Sequence, residues 1–320
     1  VDILILGGTV FVGRGVAEAA LARGHRVTLF HRGSKGAGLI PGADDILGDR
    51  DGGLDALAGR RWDAVVDACG YVPRIVGDSA RVLREVAGRY LFVSTISVYE
   101  DDEMGGLKEK AVETPVGTEE ITGETYGALK VECERAVVAA WDDRATIVRP
   151  GLVYGPHDPT NRFPYWVRRF LEGGEVLTPD ILDAPLQQID ARDLGTFMVL
   201  LLEKDLAGVY DAVGEDSTFG DTIAACQALN LGAQPVYVDV ATLEGLDVKT
   251  GSDLPLAYAD AGSLMRIQPA ATIAAGLERR PLSATTVDTA AWVRTTHADE
   301  THPSGFTRER EAETLAKLRA

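Results

Sequence analysis

Tyr126-Gly-Ala-Leu-Lys130 sets a phenol and an ammonium four residues apart, a spacing that on a helix puts both on one face. A phenol ordinarily titrates near about 10, so close to neutrality it exchanges a proton readily only with a positive charge beside it. Lys130 supplies that charge, and the two together read as a proton-transfer pair. The spacing alone is common among surface residues, so the elements around it must carry the argument.

A second constellation lies near the start of the chain. Asp2-Ile-Leu-Ile-Leu6 is an apolar run, Gly7-Gly8-Thr9-Val10-Phe11-Val12-Gly13 follows it, and Val16, Ala17, Ala20 and Leu21 then recur at helical spacing as far as Gly24. This is strand, glycine-rich turn and helix, the arrangement in which backbone N–H groups and a helix N-terminus hold a pyrophosphate. Arg26-Val-Thr-Leu-Phe30 completes a β-α-β unit of a size suited to a parallel crossover. Where a dinucleotide site for NAD would carry an acidic side chain at the end of the second strand, this sequence has His31-Arg32. Arg32, with Arg14 near the first helix, suits a 2′-phosphate, which favours NADP and leaves NAD open.

Further buried strands are expected at Ala64–Asp67, Tyr90–Val93 and Ala145–Val148, preceded by helical stretches such as Ile75 to Ala87 and Tyr126 to Trp141. The alternation predicts an α/β fold with a doubly wound parallel sheet and a smaller C-terminal substrate-binding part. We place the dinucleotide-binding domain at 1–150, with 188–213 returning to its sheet through a helix over Leu194–Glu203 and a strand over Val209–Val213. The substrate part comprises 151–187 and 214–320 and begins where Pro156, Pro159, Pro164, Pro179 and Pro185 break the alternation; beyond 213 the chain looks more helical, ending in a helix that starts near Thr307.

With these elements in order, the chain resembles the extended short-chain dehydrogenases/reductases, the NAD-dependent epimerase/dehydratase family. The turn from Gly7 to Gly13 is similar to the TGxxGxxG element, with Val10 in place of the middle glycine. That departure resembles an atypical branch, which includes reductase-like bacterial proteins and chloroplast stem-loop RNA-binding proteins. Val93-Ser-Thr-Ile-Ser-Val-Tyr99 resembles the strand-end motif in which the catalytic hydroxyl lies four residues before a tyrosine, at Thr95. Arg149-Pro-Gly-Leu-Val-Tyr-Gly-Pro156 resembles the segment that passes the nicotinamide, through Pro150 and Val153. By the same resemblance Asp49 meets the adenine, Ala68-Cys69-Gly70 runs beneath the cofactor, and Lys130 also holds the nicotinamide ribose. The resemblance implies a Rossmann fold and a catalytic group of Thr95, Tyr126 and Lys130.

Departures from the family pattern narrow the reaction. Dehydratases of this kind carry an Asp-Glu pair where Ile96-Ser97 stands, and sugar-nucleotide epimerases an arginine where Leu186 stands. The expected function is therefore hydride transfer between a nicotinamide and a small carbonyl or alcohol, with Tyr126 as the proton donor or acceptor. Ser97, His157, Arg162, Tyr165 and Trp166 are candidates to line the substrate site. The alternatives are a nucleotide-sugar epimerase holding NAD tightly, or a non-catalytic dinucleotide-binding or RNA-binding protein.

The formal net charge of −17 repels a phosphate backbone over most of the surface, so no nucleic-acid partner is expected. Cys69, Cys133 and Cys226 are widely separated and no histidine spacing suits a metal, so neither a disulfide framework nor a metal site is expected. The sequence shows no membrane span or leader-like opening, and a cytoplasmic enzyme acting on a small molecule is expected, with a homodimer allowed.

Overall fold

The computed structural model describes residues 1–101, 107–110, 117–260, 262–296 and 304–319. They form two compact units, the first from Val1–Gly151, Ala191–Val213 and Ile267–Glu278, the second from Leu152–Asp190, Gly214–Arg266 and Arg279–Ala320.

The first unit opens with β1 (Asp2–Leu6), α1 (Phe11–Ala22), β2 (Arg26–His31), β3 (Asp44–Leu47), β4 (Trp62–Asp67), α2 (Pro73–Leu83) and β5 (Ala87–Val93). A small antiparallel hairpin of β6 (Tyr99–Asp101) and β7 (Leu107–Glu109) follows, then α3 (Tyr126–Trp141) and β8 (Ala145–Pro150). The chain then enters the second unit through β9 (Leu152–Tyr154), α4 (Arg162–Glu172), β10 (Gly174–Pro179) and β11 (Gln188–Asp190). It returns to the first with α5 (Ala191–Glu203) and β12 (Gly208–Ala212). Next come α6 (Phe219–Gln227), β13 (Ala233–Val238), α7 (Val240–Gly245), the short strands β14 (Thr250–Gly251) and β15 (Leu254–Pro255), α8 (Ala270–Ala275), α9 (Leu282–Thr295) and α10 (Arg308–Lys317). Of these, α8 belongs to the first unit.

The central sheet has the order β12-β8-β5-β4-β1-β2-β3 and every pairing is parallel. It is the doubly wound α/β sheet that the alternation of strands and helices predicts. Strands of such a sheet are covered on both faces and read as continuous apolar runs; Ile3, Leu4, Ile5 and Leu6 are accordingly all buried. Strand order reverses between β1 and β4, which is where open α/β sheets take their ligands. α5 docks on α1 through Gly15 and Gly195: a β-carbon on Gly15 would come within 2.5 Å of the Ala191 carbonyl oxygen, and one on Gly195 would overlap the Gly15 carbonyl.

The second unit has its own core, built on Phe163, Trp166, Phe170 and Phe219. Its strands pair in parallel, β9 with β11 and β10 with β13, and beyond residue 213 the described residues are more helical than stranded, as the sequence leads one to expect. α6 starts from a capping box between Thr218 and Asp221. α10 starts from Thr307, whose hydroxyl accepts the Arg310 N–H at 3.3 Å.

Three local boundaries differ from the sequence reading. The helix expected over Ile75–Ala87 runs over Pro73–Leu83, with proline at its first turn, and Ala87 already opens β5. Backbone contact is the reason, since a β-carbon on Gly88 would lie 2.6 Å from the Asp63 carbonyl oxygen on the neighbouring strand. α5 starts three residues earlier than Leu194, and β12 ends at Ala212 rather than Val213. β3 is an edge strand in which Ile46 alone is buried, too little apolar pattern for periodicity to register.

Candidate active site

Gly7 and Gly8 have φ of +98° and +88°, left-handed values that glycine adopts without steric cost. A β-carbon on Gly13 would stand 2.7 Å from the Gly8 amide nitrogen, so the turn closes tightly onto the first turn of α1. Val10, which replaces the expected glycine, is the N-cap with φ −133° and ψ 135°. That is extended backbone open to any residue; the left-handed position falls instead on Phe11, φ +42°. No side chain caps α1 and its first turn contains no acidic residue, so its leading N–H groups are available to an anion. This cradle fits a dinucleotide pyrophosphate.

At the end of β2 the His31 ring accepts the Gly33 N–H at 3.1 Å through Nδ1 and meets Asp45 Oδ1 at 3.0 Å through Nε2. With Nδ1 accepting, Nε2 carries the proton and donates to Asp45. The Asp45 carboxyl also accepts the Gly38 N–H at 2.6 Å. His31 therefore organises the turn, while Arg32 is exposed and unpaired among the described residues. Asp49 is exposed at the end of the next strand and turns its chain by accepting the Asp51 N–H at 3.0 Å. Ala68, Cys69 and Gly70 follow β4 at the reversal of strand order, where the Cys69 sulfur would lie 3.5 Å from a β-carbon on Gly7.

Beneath this turn lies a group that the motifs do not reveal. Arg50 donates to both oxygens of Asp67, at 2.7 and 2.8 Å, and to the Ser79 hydroxyl at 3.0 Å. Tyr90 donates to Asp67 at 2.8 Å. Burial alone would raise the Asp67 carboxyl, but the Arg50 guanidinium outweighs it and holds the group below its usual range. An aspartate closing the otherwise apolar Ala64-Val-Val-Asp67 is the one trace of it in the sequence, since a carboxylate at the end of a buried strand needs a partner.

Thr95 lies two residues past β5 and caps the short turn Ile96–Val98, its hydroxyl accepting the Ser97 N–H at 3.1 Å and donating to the Ser97 hydroxyl at 3.2 Å. Tyr126 is the first residue of α3 and is half-buried. The next residue is glycine for a steric reason: a β-carbon on Gly127 would overlap the Ser97 carbonyl oxygen. The start of α3 thereby packs directly on the Thr95–Ser97 turn. One helical turn on, Lys130 is 2% exposed, and its ammonium donates to the carbonyls of Gly70 and Val93, both at 2.7 Å. It also stands 4.1 Å from the centroid of the Phe92 ring. Burial pushes its pKa down to about 8, with Cys133, Asp67 and Glu134 opposing the fall. Tyr71 flanks the group, its ring centroid 6.4 Å from that of Tyr126.

A second buried network lies one turn further along α3. Arg149 grips Glu134 with two bonds, at 3.0 and 2.6 Å, and donates to the Tyr99 hydroxyl at 2.7 Å. Ser94 donates to Glu134, and Tyr99 donates to Asp211 at 2.9 Å. Tyr126, Lys130 and Glu134 therefore descend one face of α3 at steps of four residues, from half-exposed to buried. Pro150 ends β8 in the same unit.

Val153, His157, Arg162, Tyr165 and Trp166 all fall in the second unit. Val153 lies in β9, and His157 has φ +67° with its ring centroid 5.4 Å from that of Trp292. Arg162 opens α4 and donates to the Thr160 hydroxyl at 3.0 Å. Tyr165 and Trp166 are buried in the unit's core, with centroids 5.0 Å apart, which makes them packing residues there. Leu186 is likewise buried in that core. Among the described residues, no cluster of His, Cys, Asp and Glu could hold a metal ion, and no helix is long and apolar enough to cross a membrane.

Residues 63–212 match the model of the NAD dependent epimerase/dehydratase family. A curated relative, the chloroplast stem-loop binding protein of 41 kDa b from Arabidopsis thaliana, is 28% identical over 244 residues. The match covers 70% of this chain and 62% of the relative, less than two thirds of its length. Similar solved structures include the Bordetella bronchiseptica enzyme WbmH in complex with NAD+, 18% identical with a TM-score of 0.68, covering 94% of this chain and 99% of that one. Thermus thermophilus UDP-glucose 4-epimerase with NAD is 18% identical with a TM-score of 0.65, over 93% of this chain and all of that one. The dTDP-glucose 4,6-dehydratase of Bacillus anthracis with NAD is 17% identical with a TM-score of 0.66, over 92% and 97%. At these identities the shared property is the fold.

Proposed function

We propose that the chain, which matches the NAD dependent epimerase/dehydratase family model over residues 63–212, is an oxidoreductase of that family acting on a small carbonyl or alcohol. When bound, the nicotinamide gives or takes the hydride at the substrate carbon. Tyr126 gives or takes the proton at the substrate oxygen, and Thr95 holds that oxygen by a hydrogen bond as charge develops on it. The Lys130 ammonium, one turn along the same helical face, favours the phenolate form of Tyr126 and so brings proton transfer toward neutral pH.

One observation carries this reading. Lys130 is a buried cation in no salt bridge among the described residues, held by the carbonyls of Gly70, in the turn after β4, and Val93, at the end of β5, one helical turn from Tyr126. With no carboxylate bonded to it, its positive charge is available to favour the phenolate of Tyr126.

NADP is the preferred cofactor in this proposal, because Arg32 is exposed and unpaired at the end of β2 and no acidic side chain occupies positions 31 and 32. Ile96-Ser97 and the buried Leu186 argue against dehydration and against sugar-nucleotide epimerisation. The name of the chloroplast relative raises stem-loop binding; a net charge of −17 opposes it, and the proposed partner is a small molecule rather than nucleic acid or a membrane.

Purified protein should oxidise NADPH in the presence of small aldehydes or ketones, faster than it oxidises NADH, and Tyr126→Phe should abolish turnover. Arg32→Ser should narrow the NADPH preference at least tenfold. The reading is overturned by turnover that survives Tyr126→Phe unchanged. It is equally overturned if dinucleotide is retained through purification and sugar-nucleotide epimers interconvert with none added.

A further inference from the structure

Lys110 is a cation that the proposed chemistry leaves unused. Its backbone N–H donates to the Val98 carbonyl at 2.8 Å, which fixes it opposite the Thr95–Ser97 turn. Its side chain runs to the start of α3, with Cε and Nζ both 3.1 Å from the β-carbon position of Gly127. The same position of Gly127 is closed on its other side by the Ser97 carbonyl. The ammonium thus stands where the Thr95 turn meets the residue after Tyr126.

Its charged neighbours on the hairpin are matched. Lys108 lies across from Glu100, with the ion pair at 3.7 Å, and Glu109 reaches Arg149 at 2.8 Å. The side chain of Lys110, a half-buried residue, makes no hydrogen bond or ion pair among the described residues. In a chain with 49 carboxylates and 32 cationic side chains, a lysine fixed by its backbone at this turn, with its ammonium beside Gly127 and no carboxylate on it among the described residues, has a charge left to offer a ligand. An anionic substrate is repelled by the protein as a whole and needs a local positive charge to reach the reacting groups.

We propose that Lys110 receives an anionic group, a carboxylate or a phosphate, carried by the substrate turned over at Tyr126. The inference rests on the oxidoreductase reading for its substrate class and on the hairpin geometry for its site. Lysine acts there as a point charge that tolerates either anion.

Two measurements test it. In the first, matched carbonyl substrates, one bearing a carboxylate or phosphate and one with that group esterified, are compared in wild type, Lys110→Met and Lys110→Arg. The anionic-to-neutral ratio of kcat/KM should fall at least tenfold in Lys110→Met, mainly through KM, and recover substantially in Lys110→Arg. A ratio within twofold of wild type overturns the proposal. In the second, protein saturated with dinucleotide is titrated calorimetrically with acetate and with inorganic phosphate. Wild type should bind one of them at least tenfold more tightly than Lys110→Met, and the tighter of the two identifies the anion; equal or absent binding in both proteins overturns the proposal. If wild type turns over no carbonyl or alcohol, the oxidoreductase reading fails and calorimetry still decides the role of Lys110.

Discussion

Two buried cations, one in each unit, are treated in opposite ways. Arg169 donates to Glu311 at 2.6 Å and to the carbonyls of Gly173 and Glu175, while Glu311 also accepts the Leu177 N–H at 2.9 Å. Both charges there are answered, and the ensemble ties α10 to β10. Lys130 is as deeply buried yet meets only carbonyls and an aromatic face. Arginine with a fixed carboxylate serves cohesion, since breaking either half leaves an unpaired charge in a low-dielectric interior. An underpaired lysine is a stored electrostatic field, and its depressed pKa measures what that field costs.

The contrast can be broken most forcefully at Lys130. Lys130→Met should reduce turnover on the order of 10³-fold while raising the stability of the unit by about 1–3 kcal/mol at pH 7, read by assay and by denaturant unfolding. A loss of stability as well as activity would mean that its two carbonyl bonds matter more than its charge. Next in size, Glu311→Ala should cost about 3–5 kcal/mol in the unfolding of the second unit, because Arg169 is left buried and uncompensated. A cost below about 1 kcal/mol would show that the carbonyls alone satisfy it.

The pH dependence follows from Lys130 being shifted from 10.5 to about 8. Across that window the unfolded lysine keeps its proton and the folded one sheds it. Stability therefore rises with pH by up to about 1.4 kcal/mol per unit, and below pH 8 the burial penalty is present in full. Wild type should show this rise relative to Lys130→Met, and its activity without excess cofactor should decline above about pH 8 as the ammonium is lost. The smallest effect is expected at Val10→Gly. The backbone there is extended, so glycine removes no strain and costs at most about 1 kcal/mol; dinucleotide affinity should change less than threefold in a binding titration.

Much of the first unit was legible because its signals are local. Apolar runs such as Asp2–Leu6, the glycine turn after them and the phenol-to-ammonium spacing of Tyr126 and Lys130 each sit within a few residues. The family resemblance and the parallel sheet followed from their order. The edge strand β3 escaped because only Ile46 is buried in it, and the strands of the second unit because prolines interrupt their pattern. Arg50 with Asp67, Glu134 with Arg149, and Lys110 beside Gly127 escaped for another reason. Their partners are separated by between 15 and 17 residues along the chain, and only the folded backbone makes them neighbours.

The close crossing of α1 and α5 through Gly15 and Gly195 has a consequence for synthesis. The first unit is discontinuous, and its edge strand β12, at Gly208–Ala212, is made only after the first segment of the second unit. A nascent chain leaving the ribosome can pair β1 to β8 early, but α1 stays uncovered until α5 emerges. The two glycines leave a seat that only a close backbone approach fills. The late segment thus has a reserved place, and a bulky residue at Gly15 or Gly195 should strand the chain at this stage, visible as a protease-sensitive intermediate during translation.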